Sequence, residues 1–180
     1  MNTFNFIEQY KIPLSLCDKF IKYHKNNKEY KSIGKIGDGN VNINAKDSTD
    51  VTFFNNCKQK FVLDFFKYLT KYVTDYSKKY EIEDILYTET VHLIQHYKKG
   101  GGYFKKHYER HKCNLNRELV YMLYCNNVKK GGTEFPLQNI KTECVKGNLI
   151  IWPAFFTHPH YGVISRDQEK YIVTGWFLIK

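Results

Sequence analysis

Apolar positions in this chain recur at helical spacing in two places and alternate in short runs elsewhere. Leu16, Cys17, Phe20 and Ile21 form one stripe within residues 14–27, and Ser15 with Asp18 offers a capping signal, so a short amphipathic helix is expected there. A longer stripe of Phe61, Phe65, Tyr68, Leu69, Tyr72, Val73 and Tyr76 predicts a helix over residues 58–79, with its aromatic face packed on a sheet as core. Between the two, residues 31–50 are rich in Gly, Asn and Asp and read as a loop with one short strand. From Ile85 onward, strands are expected near 86–97, 102–109, 117–126, 140–144, 148–152, 157–164 and 170–179. The turns between them carry Lys99-Gly100-Gly101, Lys130-Gly131-Gly132, Lys146-Gly147 and Arg166-Asp167. Two helices followed by many short strands indicate an α+β domain built on a jelly roll, with an ordinary sandwich lacking an interior site as the alternative.

Composition narrows this picture. A chain of 180 residues suits one domain over 1–180, with a helical N-terminal part at 1–84 and a β-roll core at 85–180. No apolar run reaches 18 residues, and the first 27 residues lack a charged start followed by an apolar block. A cytoplasmic protein without a membrane span is therefore expected. The five cysteines are odd in number, scattered and free of any CxxC pair, which points to reduced thiols and away from a disulfide frame or zinc site. The net charge of +10 invites a nucleic-acid partner, but the 28 basic residues are 25 Lys and only three Arg (Arg110, Arg117, Arg166). Readers of phosphates and bases lean on Arg forks. A solvated basic surface is the preferred reading, and nucleic acid is not the favoured partner.

The chemistry concentrates at His107-Tyr108-Glu109, at His158-Pro159-His160 and at Lys170. On a strand, a His-x-Glu step puts both side chains on one face. A later His can complete a set of two imidazoles and one carboxylate, the facial arrangement that holds Fe(II) and leaves positions open for a co-substrate and O2. Seven His and 18 acidic residues in 180 produce about 0.7 His-x-acid pairs by chance, so the pair by itself carries little weight. Its context adds to it. Gly100-Gly101-Gly102 stands just before, where backbone must bend or approach closely, and two His follow the apolar run Gly147–Pro153.

From Tyr97 to Lys180 the sequence resembles the Fe(II)/2-oxoglutarate-dependent dioxygenases, in the prolyl 4-hydroxylase-like branch. The matching pieces are YKKGGGYFKKHYE, RELVYMLYCNNVKKGGTEF, GNLIIWP, THPHYG and KYIVTGW, in family order over about half the chain, and FIEQYKIPLSLCDKFIKYH looks like the branch's lead-in. The resemblance implies a double-stranded β-helix (jelly roll, cupin-like) with the N-terminal helices packed on the major sheet. It implies His107 and Glu109 as iron ligands, where the branch more commonly has Asp in the second position. His160 or His158 would be the third ligand. The ten-residue interval to Lys170, and a His-x-Gly step seen in similar viral-type sequences, favour His160; the five-residue interval from Pro153 favours His158. His160 is preferred. Lys170 and Tyr124 would take the far carboxylate of 2-oxoglutarate, Tyr97 would line the co-substrate, and Trp176 would stand near the metal.

The implied activity is hydroxylation of a C–H bond, with Fe(II), 2-oxoglutarate and O2 as cofactors, ascorbate as a further candidate, and succinate and CO2 as products. A prolyl or other amino-acid residue in a peptide or protein, or a free amino acid, is the implied substrate, on a monomer or homodimer. Two other classes compete: a non-catalytic jelly-roll binding module using the basic surface, and a cupin-type metalloenzyme using Zn or Mn without 2-oxoglutarate.

Overall fold

The computed structural model describes residues 4–37 and 39–179; Met1–Thr3 and Lys180 of the expected 1–180 domain, and Asp38 of the expected loop 31–50, lie outside the described residues. The N-terminal part holds β1 (Glu8–Lys11), α1 (Leu14–Asn26), β2 (Lys31–Ile33), β3 (Thr49–Phe54) and α2 (Lys60–Lys79). Then come β4 (Leu86–Thr88), β5 (Val91–Tyr97), β6 (Arg117–Tyr124), β7 (Thr133–Phe135), β8 (Ile140–Lys141), β9 (Asn148–Pro153), β10 (Tyr161–Gly162) and β11 (Lys170–Ile179). The major sheet runs β1-β9-β6-β11-β5-β3-β2 with β4 also on β11, and the minor sheet runs β10-β7-β8. The N-terminal part is thus not simply helical, since β1, β2 and β3 extend both edges of the major sheet.

Both expected helices form. Helix α1 starts directly after Pro13 with no side-chain cap, so Ser15 and Asp18 fall inside its first turns instead of capping it. Helix α2 buries Val62, Phe65, Leu69, Val73 and Tyr76, while Phe61, Tyr68 and Tyr72 sit half-buried at the rim of the same stripe. Burying those five side chains contributes about 1.5–3 kcal/mol each, which seats the helix on the sheet. Among the described residues no helix is long and apolar enough to cross a membrane, and all five cysteines are free.

Alternation along the strands sorts the interior into two compartments. On β6, Leu119, Tyr121 and Leu123 pack against the helices, while Val120, Met122 and Tyr124 face the space between the sheets. On β11, Tyr171, Val173 and Phe177 take the helical side, and Lys170, Ile172, Thr174 and Trp176 line the inter-sheet cavity. On β5, Ile94 faces the helices and Leu93, Gln95 and Tyr97 face the cavity.

The expected strand 102–109 is absent. That segment forms no ladder: it pairs through two isolated bridges, Tyr103 with Lys46 and His107 with His160, and through individual backbone hydrogen bonds with Ala45, Asp47, Ala154 and Gly162. Its exposed Lys105 and Lys106 give it no apolar face to bury. The triglycine lets it approach: Gly100 has φ +80, and a Cβ on Gly101 would stand 2.9 Å from the Asp47 carbonyl oxygen. The expected strand 157–164 shrinks to Tyr161–Gly162, the strand 140–144 to Ile140–Lys141, and the strand 86–97 splits at Glu89–Thr90.

Candidate metal centre and co-substrate cavity

His107, Glu109 and His160 each direct one ligand atom to a common point, all within 4.8 Å of one another. Glu109 Oε1 lies 3.3 Å from His107 Nε2 and 3.7 Å from His160 Nε2. Strand alternation does not set this geometry. The His107 and His160 backbones exchange hydrogen bonds of 3.0 and 2.9 Å, and the Glu109 and Arg110 amides both donate to the Ala154 carbonyl, at 3.0 and 2.8 Å. Long-range backbone pairing therefore carries the step that a strand was expected to supply.

The ring nitrogens are assigned by their partners. His107 Nδ1 faces the Lys105 carbonyl at 2.8 Å and His160 Nδ1 faces the His158 carbonyl at 3.0 Å. A carbonyl only accepts, so both Nδ1 atoms carry the proton and both Nε2 atoms present lone pairs to the centre. Three electron-rich atoms facing one another repel unless a cation or proton lies among them, so the donor set suits a divalent metal with nitrogen and oxygen ligands. Tyr103 stacks on His107 with ring centroids 3.6 Å apart, and Trp152 stands edge-on to His160 at 5.0 Å, which fixes both rings.

Glu109 is shaped by opposing effects. Burial pushes its carboxyl up, but a proton shared with His107, the positive charge His107 and His160 carry when protonated, and the Arg117 charge together outweigh burial and hold it at about 2; with both rings neutral, a metal ion would take the place of those positive charges. Burial, assisted by neighbouring His107, lowers His160 to about 3, so its imidazole is neutral and available as a ligand at physiological pH. Glu109 Oε2 turns away from the centre and accepts a hydrogen bond from Trp176 Nε1 at 3.1 Å.

His158 lies outside the cluster. Its Nε2 faces the Asn5 carbonyl at 2.9 Å and its Nδ1 the Thr157 hydroxyl at 2.9 Å, so both ring nitrogens are occupied by the N-terminal segment and its own loop.

The cluster opens into a cavity of about 280 Å³ lined also by Tyr97, Tyr124, Lys170 and Trp176. Lys170 is 5% exposed. Its ammonium donates to the Gly131 and Val163 carbonyls at 3.0 and 3.1 Å and stands 5.3 Å from the Tyr97 ring centroid. An ammonium has three N–H bonds, and two go to those carbonyls. Burial brings Lys170 down to about 8. A carboxylate bound here would meet a cation in a poorly solvated site, where the pairing is strongest.

Sequence reading missed the groups that hold these residues. The Tyr124 hydroxyl bonds Thr133 and Thr142 Oγ1, each at 2.9 Å, and Gly132 makes room for the Thr142 backbone beside it. The Tyr97 hydroxyl donates to Gln95 at 3.0 Å, and Gln95 reaches Asp50 at 3.4 Å. Asp50 in turn pairs with Lys46 at 2.8 Å, both nearly fully buried. The shared parity of Gln95 and Tyr97 was a readable signal; the Lys46–Asp50 pair had none. Arg110, next to Glu109, is held by Glu118 at 2.8 Å and lies over Phe155.

Residues 92–178 match the sequence model of the 2OG-Fe(II) oxygenase superfamily. The matched stretch contains His107, Glu109, His160 and Lys170. Proteins of that superfamily work with Fe(II), 2-oxoglutarate and O2. The fold of this chain is that of prolyl hydroxylases of known structure. The viral collagen prolyl hydroxylase vCPH from Paramecium bursaria Chlorella virus-1, in a 2-oxoglutarate complex, matches with a TM-score of 0.75 at 18% identity over 96% of each chain. A Pseudomonas putida prolyl 4-hydroxylase gives 0.77 at 14% identity, covering 96% of this chain and 92% of that one. A Trichoplax adhaerens prolyl hydroxylase, bound to a hypoxia-inducible-factor peptide fragment, gives 0.79 at 12% identity, covering 97% and 84%. A search of curated proteins found no match.

Proposed function

We propose that this protein is an oxygenase that hydroxylates a C–H bond of a prolyl or other amino-acid residue within a peptide or protein. The overall change is substrate C–H plus O2 plus 2-oxoglutarate to C–OH, succinate and CO2. The observation that carries the reading is the common cavity shared by His107, Glu109 and His160 at one end and the buried Lys170 ammonium at another. His107, Glu109 and His160 would hold the iron, in preference to any set with His158. Lys170 would anchor the far carboxylate of 2-oxoglutarate, with the Tyr124 hydroxyl and its two threonines beside it and Tyr97 along the wall. When bound, the iron and its co-substrate supply O2 activation and oxidation of the C–H bond. The chain's own part is to orient those groups and exclude water; the apolar walls of Val120, Met122, Trp152 and Ile172 serve that end. A peptidyl substrate is supported by the related fold of the Trichoplax enzyme, which binds a peptide fragment.

The test is succinate formation by iron-loaded protein offered a panel of proline-containing and proline-free peptides, with peptide mass followed in parallel. A gain of one oxygen on a prolyl residue, matched by succinate, is the expected result. Turnover of 2-oxoglutarate that no peptide stimulates would overturn the peptidyl assignment.

A further inference from the structure

The Glu109 carboxylate stands on two methylenes, and its terminal torsion is broad and nearly two-fold. A carboxylate with that freedom can turn its second oxygen toward a metal and occupy two coordination positions. Three groups oppose the turn. Trp176 Nε1 donates to Glu109 Oε2 at 3.1 Å, and Arg117 Nη1 stands 3.7 Å from the same oxygen. Arg117 is itself immobilised: its guanidinium lies 3.6 Å over the Trp176 ring and makes a two-pronged pair with Glu89, at 3.0 and 3.2 Å. The Glu89 amide closes the loop by donating to the Trp176 carbonyl at 2.9 Å. Glu89 also balances the Arg117 charge, so the assembly steers Glu109 without adding net positive charge beside a cation.

We propose that Arg117, Trp176 and Glu89 form a clamp that holds Glu109 to one-oxygen ligation and so keeps a coordination position open. Arg117 and Trp176 are positioning residues; Glu89 acts through Arg117. The inference rests on the metal reading above, and the experiment separates the two. The probe is Mn(II) alone, bound to full-length protein, read by water-proton relaxivity and by electron paramagnetic resonance. An octahedral ion held by three protein atoms keeps about three exchanging waters. A second Glu109 oxygen entering the shell would remove one of them and lower the relaxivity by about a third.

Trp176→Phe and Arg117→Gln should each move relaxivity in that direction, with an altered resonance spectrum. Their combination should give the full drop, and Arg117→Lys, which retains a cation, should restore most of it. A role in folding alone would change melting temperature and leave the water count intact. Folded Trp176→Phe or Arg117→Gln protein that binds Mn(II) with unchanged relaxivity overturns the clamp; if the double variant does not fold, the single variants decide. Wild-type protein whose Mn(II) binding is absent, or survives His107→Ala, overturns the metal reading and the clamp with it.

Discussion

Replacing Lys170 by Met keeps an unbranched stem and removes only the ammonium. If that ammonium anchors 2-oxoglutarate, the variant buries an unpaired carboxylate in the complex. Truncating one member of a buried, hydrogen-bonded charge pair costs about 2–5 kcal/mol, or about 30-fold to several-thousand-fold in Kd. The ligand-free protein should fare differently. The ammonium is held at about 8 against its ordinary 10.5, a burial cost of about 3 kcal/mol at 1.36 kcal/mol per pH unit. Losing that cost offsets the two carbonyls left without a donor, at about 1–3 kcal/mol each. Stability near neutral pH should therefore change little. The pH dependence carries a definite sign. Between about pH 8 and 10.5 the unfolded chain keeps this proton while the folded one releases it, so wild-type stability rises with pH relative to the variant. Over the same window co-substrate affinity falls, because the carboxylate binds the protonated form. Calorimetric titration of 2-oxoglutarate with Mn(II) present, alongside Mn(II) titration by itself, reads both affinities. A co-substrate Kd within about threefold of wild type, or an equal loss of metal affinity, refutes the anchor.

Among paired variants, His160→Ala should abolish Mn(II) binding and His158→Ala should retain it, because His158 spends both ring nitrogens on Asn5 and Thr157; equal loss would reopen the ligand set. Lys46→Met leaves Asp50 buried without its counter-charge, held only by the Ser48 hydroxyl and Gln95, and urea denaturation should show a loss of about 3–5 kcal/mol; an unchanged midpoint would contradict the burial of that pair. Burial holds His92 at about 4, so between pH 6.5 and 4 the unfolded chain takes a proton that the folded one refuses, and stability should fall by about 3 kcal/mol from this group. His92→Gln keeps a partner for the Tyr121 hydroxyl and should flatten that slope, the remaining histidine slope belonging to His24, His96, His158 and His160; an unaltered slope would argue against His92.

Much of this protein can be read from its residues because the relevant physics is local. Helical spacing announces α1 and α2, and turn residues bracket most strands. Alternation along β11 already puts Lys170, Ile172, Thr174 and Trp176 on one face, since a strand's side chains have a fixed period of two. The same reasoning misplaced the segment after the triglycine, where the backbone's partners are Ala45, Ala154 and His160 and no local pattern encodes them.

The residue types and order of the chemistry (His107, Glu109, a later His, Lys170) are properties of the sequence by itself, as are the helices that cover the sheet. Only the tertiary structure separates His160 from His158. The two share a parity, so alternation cannot distinguish them, and the difference comes from a segment about 150 positions away, where the Asn5 carbonyl takes His158. The same holds for the threonines behind Tyr124, the Lys46–Asp50 pair and the Arg117–Trp176 stack. Tyr124 meets its threonines only once the two sheets close around the cavity, Arg117 meets Trp176 only when β6 and β11 pair, and Lys46 meets Asp50 only when its loop folds back on β3; no local pattern encodes any of these contacts.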